Sequence, residues 1–170
     1  MTHTKNKVGW CLKKAEEELK TEGKHRGLIK TEPDKKRALE HIAKAEHDLK
    51  GAIEFARIGY SDWSASAFFY AIYQCFLAIA AKKGYESRNQ ECTFALIYSL
   101  IENNEIELDK QMVNKVTSLN IQEEKESSTS TEIREKYQYG TKLSLDENIY
   151  EYLWELARQI LSATKEIIEK

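Results

Sequence analysis

Apolar residues along this chain recur mostly at three- and four-residue spacing, the period of amphipathic helices, and one stretch departs from that pattern by being apolar nearly all round. Between Ser61 and Lys83 there is no Pro or Gly, and almost every position is small, aromatic or aliphatic. This predicts a central helix that the rest of the chain covers. Ser61 reads as its N-cap and Gly84 as its C′ residue, which gives about 22 residues and a length of roughly 33 Å. Ser87-Arg88-Asn89-Gln90 then reads as an S-x-x-Q capping box that opens a helix through Cys92, Phe94 and Ile97.

The flanking segments are amphipathic. Val8, Cys11, Leu12, Ala15 and Leu19 predict a helix over residues 6–22. GKHRGLIKTEPD, with two Gly and the only Pro, reads as a loop with an apolar plug at Leu28-Ile29, in which His25 and Arg26 are surface residues. Asp34 is placed to cap a long helix that turns Leu39, Ile42, Ala43, Leu49, Ile53 and Ala56 inward and stops at Gly59. Asn103-Asn104 ends the next helix, and Asp109 caps a fifth with Met112, Val113, Val116 and Leu119 inward.

QEEKESSTST at 122–131 has no apolar residue and reads as a flexible connection. A short helix from Glu132 to Tyr139 stops at Gly140. Ser144-Leu145-Asp146-Glu147 reads as a second capping box, opening a last helix with Ile149, Tyr152, Leu153, Leu156, Ile160, Ala163 and Ile167 on one stripe. The sum is an all-α protein of six to seven helices, an up-and-down bundle, in which residues 1–33 form an N-terminal helical extension and loop and residues 34–170 the bundle domain.

Composition supports that class: 170 residues with 32% charged side chains, a single Pro and seven Gly can bury a core without metal or disulfide support. The net charge of −2 is unevenly spread, with thirteen Lys/Arg against nine Asp/Glu in residues 1–50 and thirteen against nineteen in the remainder. Such a balance excludes wholesale phosphate binding and leaves only a local basic patch for nucleic acid, or a plain solvated helix face. Cys11, Cys75 and Cys92 are odd in number and scattered, which predicts buried, reduced thiols in a cytoplasmic protein. MTHTKNK has no apolar h-region, and Asp62, Ser64, Ser66 and Gln74 interrupt the Ser61–Lys83 segment, so no signal peptide and no membrane partner is expected.

Candidate chemistry is sparse. His41 and His47, six residues apart, lie on nearly opposite helix faces and cannot share a metal. No metal-binding, phosphate-loop or nucleophile-elbow signature is present, and neither cofactor nor metal is expected. Two polar clusters remain. Arg88, Asn89, Gln90 and Glu91 stand at a predicted helix N-terminus, where free N–H groups favour an anion, although capping alone accounts for Ser87 and Gln90. Cys92 there is either an activated thiol or a packed one, and its neighbours favour packing. Arg134-Glu135-Lys136-Tyr137-Gln138-Tyr139-Gly140 is the second cluster, either a site or a solvated helix end with a packed Tyr.

The helix ending at Gly59, the SASAFFYAIYQCFLAIAAKKG segment, the ESRNQECTFA turn and REKYQYG before a last amphipathic helix together resemble the HEPN superfamily over about residues 34–170, its stand-alone prokaryotic and especially archaeal members above all. The resemblance implies a helical bundle that pairs as a homodimer. In HEPN ribonucleases an R-x4–6-H motif faces its symmetry mate and cleaves RNA without a metal. Arg134 matches the motif Arg and Glu135 its polar neighbour, but Tyr139 stands at the His position, and Gln74 stands where many relatives have His. A phenol stays protonated at neutral pH and cannot replace imidazole as a base. The resemblance therefore implies a non-enzymatic or degenerate module in RNA or nucleotide transactions, such as the partner of a minimal nucleotidyltransferase or a defence or toxin–antitoxin protein. The alternative it implies is a metal-independent endoribonuclease with Arg134, Glu135 and Tyr139 catalytic. The ESRNQE turn is expected to line the same crevice as Arg134 and Tyr139.

Overall fold

A computed structural model describes residues 3–117 and 128–170. Among these, the chain forms α1 (His3–Glu22), β1 (Leu28–Lys30), α2 (Lys35–Arg57), α3 (Ser61–Lys82), β2 (Tyr85–Ser87), α4 (Gln90–Glu102), α5 (Lys110–Val116), α6 (Ser130–Tyr139) and α7 (Glu147–Glu169). The all-α bundle is therefore observed, with one addition: β1 and β2 pair antiparallel, Ile29 opposite Glu86. The expected loop with a plug at Leu28-Ile29 is instead this strand. Its pairing satisfies backbone groups that burial of Leu28 takes from water. Leu119 and residues 122–127 of the expected connection lie outside the described residues, whereas Thr129 to Thr131 already belong to the start of α6, where Thr129 and Glu132 form a capping box.

α3 is the axis. It packs against α2, α4, α6, α7 and β2, with Phe68, Phe69, Ile72, Phe76 and Ile79 fully enclosed. It is also the one helix among the described residues long and apolar enough to cross a membrane, and 67% of its apolar window is buried inside the bundle. Gly84 follows it with φ +79°, as expected of a C′ residue, and its Cα passes so close to β1 that a Cβ would meet the Thr31 carbonyl at 2.8 Å. Ser61 does not cap the helix. Its hydroxyl accepts from the Leu145 N–H at 2.9 Å and ties α3 to the α6–α7 loop.

The inward face of α2 differs from the expected one. Ala38, Ile42, Ala45 and Ala52 are buried, while Leu39 and Ile53 are exposed and Ala43 faces water. Three of the buried positions are alanines seven residues apart. The Ser64 hydroxyl donates to the Ala52 carbonyl at 2.6 Å and Ala38 clusters with Ala78, so the antiparallel register also sets Ala45 toward Ala71. Small residues at heptad spacing let the two backbones approach closely, and the bulkier aliphatics are displaced to the flanks. The last helix is as expected, with Leu153, Leu156, Ile160 and Ile167 buried, but Asp146 rather than Ser144 occupies its N-cap.

Residues on both sides of position 33 share the main core, which includes Cys11 and Leu28 together with Phe69, Phe76 and Leu96. The cysteines overturn an expectation here. Cys11 and Cys92 form a disulfide across 81 residues, with Cα atoms 5.9 Å apart, and only Cys75 is a free, buried thiol. α1 carries Cys11 onto the first turn of α4, within the Cα separation a disulfide requires. The bond removes the argument from reduced thiols that favoured a cytoplasmic location.

Candidate functional site

α6 positions the second cluster. Its buried stripe is Ser130, Ile133, Arg134 and Tyr137, at helical spacing, so Arg134 occupies a core position of the helix. The residue is only 8% exposed and its guanidinium lies 4.6 Å from the centre of the Phe69 ring. One terminal nitrogen donates to Gln138 Oε1 at 3.1 Å and the other to Glu135 Oε1 at 3.3 Å. Its Nε is buried with no partner among the described residues. Tyr139 is five positions on, about 140° around the helix, and points outward at 77% exposure. The structure therefore brings Arg134 together with Glu135 but not with Tyr139.

Tyr139 instead borders a cavity of about 500 Å³ between the N-terminal half of α3 and the α6–α7 loop. Trp63, Ser66 and Tyr70 line it from α3, and Tyr137, Gln138 and Leu143 line it from the other side, with Asp62, Thr141 and Lys142 at its edge. Trp63 and Leu143 are exposed by 58% and 83%. Large apolar side chains from three elements thus line this cavity, with a few polar groups beside them. A second cavity of about 300 Å³ shares Tyr137 with the first and is lined also by Glu132, Lys136, Asn148 and Tyr152. The sequence signal for the first cavity was present in Trp63, Ser66 and Tyr70, which share one face of α3 at spacings of three and four.

The first cluster is otherwise engaged. Asn89, not Ser87, caps α4, accepting from the Cys92 N–H at 3.0 Å, and Ser87 belongs to β2. Strand pairing claims Ser87, which moves the cap two residues on. Arg88 donates to Glu86 at 2.8 Å, Glu91 pairs with Lys7 at 3.0 Å, and Gln90 is half-buried at the helix start. Glu86 also meets Arg37 at 3.4 Å and His25 at 3.2 Å. His25, expected on the surface, is buried, because β1 and β2 fold it against this carboxylate. Burial pushes the Glu86 carboxyl up, but hydrogen bonds from Arg88 and His25 and the charges of Arg88 and Arg37 outweigh it and hold it below its usual range. The cationic groups at this end thus already have their anion.

Neither cavity bordering α6 is lined by residues 86–93. What joins the two clusters is a row of rings: Phe69 beneath Arg134, Tyr73 stacked on Phe69 at 6.2 Å, and Phe94 edge-on to Tyr73. The Tyr73 hydroxyl is 3.1 Å from Thr93 Oγ1, which in turn is 2.7 Å from Ser87 Oγ. Burial raises the Tyr73 phenol, and the Thr93 bond only partly opposes it. The shared crevice expected for the ESRNQE turn, Arg134 and Tyr139 is thus occupied by packed aromatic side chains.

The three histidines with described side chains have the following partners. His25 bonds Glu86, His41 Nδ1 donates to Gln74 Oε1 at 2.7 Å, and exposed His47 is 3.3 Å from Asp48. Among the described residues no group of three or more His, Cys, Asp or Glu could hold a metal. No family model matches the chain, and no curated protein matches it.

Proposed function

We propose that this chain is a HEPN-like, non-enzymatic binding module that pairs as a homodimer and acts in RNA or nucleotide transactions, as the partner of a nucleotidyltransferase or of a defence protein. The observation that carries the choice of a binding module over a nuclease is the state of Arg134. A guanidinium that is 8% exposed, seated on Phe69 and held by Gln138 and Glu135 lacks the exposure to clamp a scissile phosphate. The working surface is the neighbouring aromatic cavity, whose Trp63 and Tyr139 rings offer planar faces for stacking beside Lys142.

The test is incubation of the purified protein with labelled single-stranded and structured RNA in EDTA, scored for both binding and cleavage. Binding that weakens at least about tenfold in Trp63→Ala and Tyr139→Ala, without cleavage, is the expected result. EDTA-resistant cleavage lost in Tyr139→Phe would overturn it in favour of the endoribonuclease. Failure to bind RNA at any salt concentration removes the RNA reading. Light scattering at low micromolar concentration checks the pairing, and a monomer there refutes the homodimer.

A further inference from the structure

Among the α1 residues whose side chains are described, Cys11 and Ala15 are buried, Val8 and Leu12 pack half-buried against the core, and Trp10 and Leu19 are exposed. The helix leans on α4 and β1. Its polar ties are Lys7 with Glu91, a 3.4 Å contact from the Thr4 hydroxyl to Glu102, the Glu18 carboxylate accepting from the Arg26 N–H at 2.7 Å and Glu22 accepting from the Arg26 guanidinium at 2.8 Å, all exposed. Exposed pairs of that kind add little stability. Two small buried side chains, two half-buried ones and a few surface contacts are a modest attachment for five and a half turns of helix, and the Cys11–Cys92 bond is its one covalent element.

α4 shows what the attachment covers. All nine residues from Cys92 to Leu100 are buried, so the helix is enclosed on every side. α1 crosses it antiparallel, from Glu102 opposite Thr4 to Cys92 opposite Cys11. Helical spacing puts Cys92, Ala95 and Ser99 on one stripe between those two contacts. At the other end of α1 the chain turns through Gly23, whose φ of +69° and open surroundings make it a natural pivot.

We propose that the Cys11–Cys92 pair is a thiol–disulfide switch that latches α1 over α4, and that its co-substrate is a dithiol reductant. In the reductive step one thiolate of the dithiol attacks a sulfur of the pair, the Cys11–Cys92 bond breaks and a mixed disulfide forms. The second thiolate of the reductant displaces the remaining protein thiolate. Two electrons and two protons pass to the protein, which leaves with two thiols while the reductant leaves as its disulfide. Both sulfurs are buried, so attack takes place when α1 frays, and the folded latch resists it. Once the bond is open, α1 swings about Gly23 and uncovers the Cys92–Ser99 face of α4. Exchange with an oxidised thiol reverses the change. This device is independent of what the aromatic cavity binds.

Hydrogen exchange of the whole protein, followed by mass spectrometry before and after dithiothreitol, tests it. Reduction is expected to speed exchange in α1 by about tenfold or more, leave α3 within about twofold of its oxidised rate, and be reversed by oxidised glutathione. The variant Cys11→Ser should behave as the reduced protein without any reductant. α1 protection that survives reduction, or loss of protection in α3 together with α1, overturns the latch: packing then holds α1, or the bond staples the whole fold. Three titratable thiols after equilibration with oxidised glutathione overturn it as well.

Discussion

Truncating Arg134 distinguishes a packed guanidinium from one held in reserve for a ligand. In Arg134→Ala the contact with the Phe69 face, 4.6 Å away and largely removed from water, is lost at a cost of about 1–2 kcal/mol. The bond to Gln138 contributes about 1.5 kcal/mol, and the one to half-exposed Glu135 adds little. The two buried methylenes that truncation removes contribute about 0.8 kcal/mol each. Against these, truncation relieves the unpartnered Nε, whose burial costs about 2 kcal/mol. The net loss is about 3 kcal/mol. With an unfolding entropy near 2.1 cal/mol/K per residue over 170 residues, that lowers Tm by about 8 °C. Urea unfolding followed by circular dichroism measures it, and a double-mutant cycle of Arg134→Met with Phe69→Leu isolates the ring contact, with a coupling of about 1–2 kcal/mol. A loss below about 0.5 kcal/mol with no coupling would refute the structural role. It would return Arg134 to the list of groups free to meet a phosphate.

Three further outcomes are expected. Gly84→Ala should cost about 3 kcal/mol in urea unfolding, since a left-handed Ala costs about 1–2 and its Cβ would press on the Thr31 carbonyl. Gly59→Ala, at φ +89° with nothing within 4 Å, should cost only about 1 kcal/mol, and equal losses would refute the close-approach argument. Glu86 has a folded pKa below its unfolded value near 4.5, so its stabilisation is complete above that pH and is lost as pH falls through the lowered folded value. Glu86→Gln should therefore destabilise at neutral pH and lose its effect in acid, and a penalty that does not shrink below about pH 4 refutes this. Burial pushes the Cys75 thiol up to about 12, so iodoacetamide at pH 8 should label it only as fast as the protein unfolds, and rapid labelling of folded protein refutes the assignment.

Local signals determined most of the helices. The apolar run from Ser61, the C′ glycine at 84, the caps at Asp34 and Asp109 and the stripe of the last helix needed nothing beyond nearest neighbours in sequence, because helical hydrogen bonds and caps are themselves local. What the sequence could not decide was which long-range partner each polar or small residue meets. Ser61 reads as a cap and spends its hydroxyl on Leu145, and Ser87 reads as a cap and joins a strand whose partner is 59 residues away. α2 has two apolar faces of similar strength, and only the close fit of Ala38, Ala45 and Ala52 against α3 chooses between them. Cys11 and Cys92 become a pair because α1 lies across α4, a contact absent from any window of sequence. The same holds at the candidate site: Arg134 and Tyr139 look like neighbours on paper, and the turn of α6 sets one over the Phe69 ring and the other, exposed, at the border of an aromatic cavity. Tertiary packing decides these matters because a side chain's chemistry depends on whether water, a ring or a carboxylate is beside it.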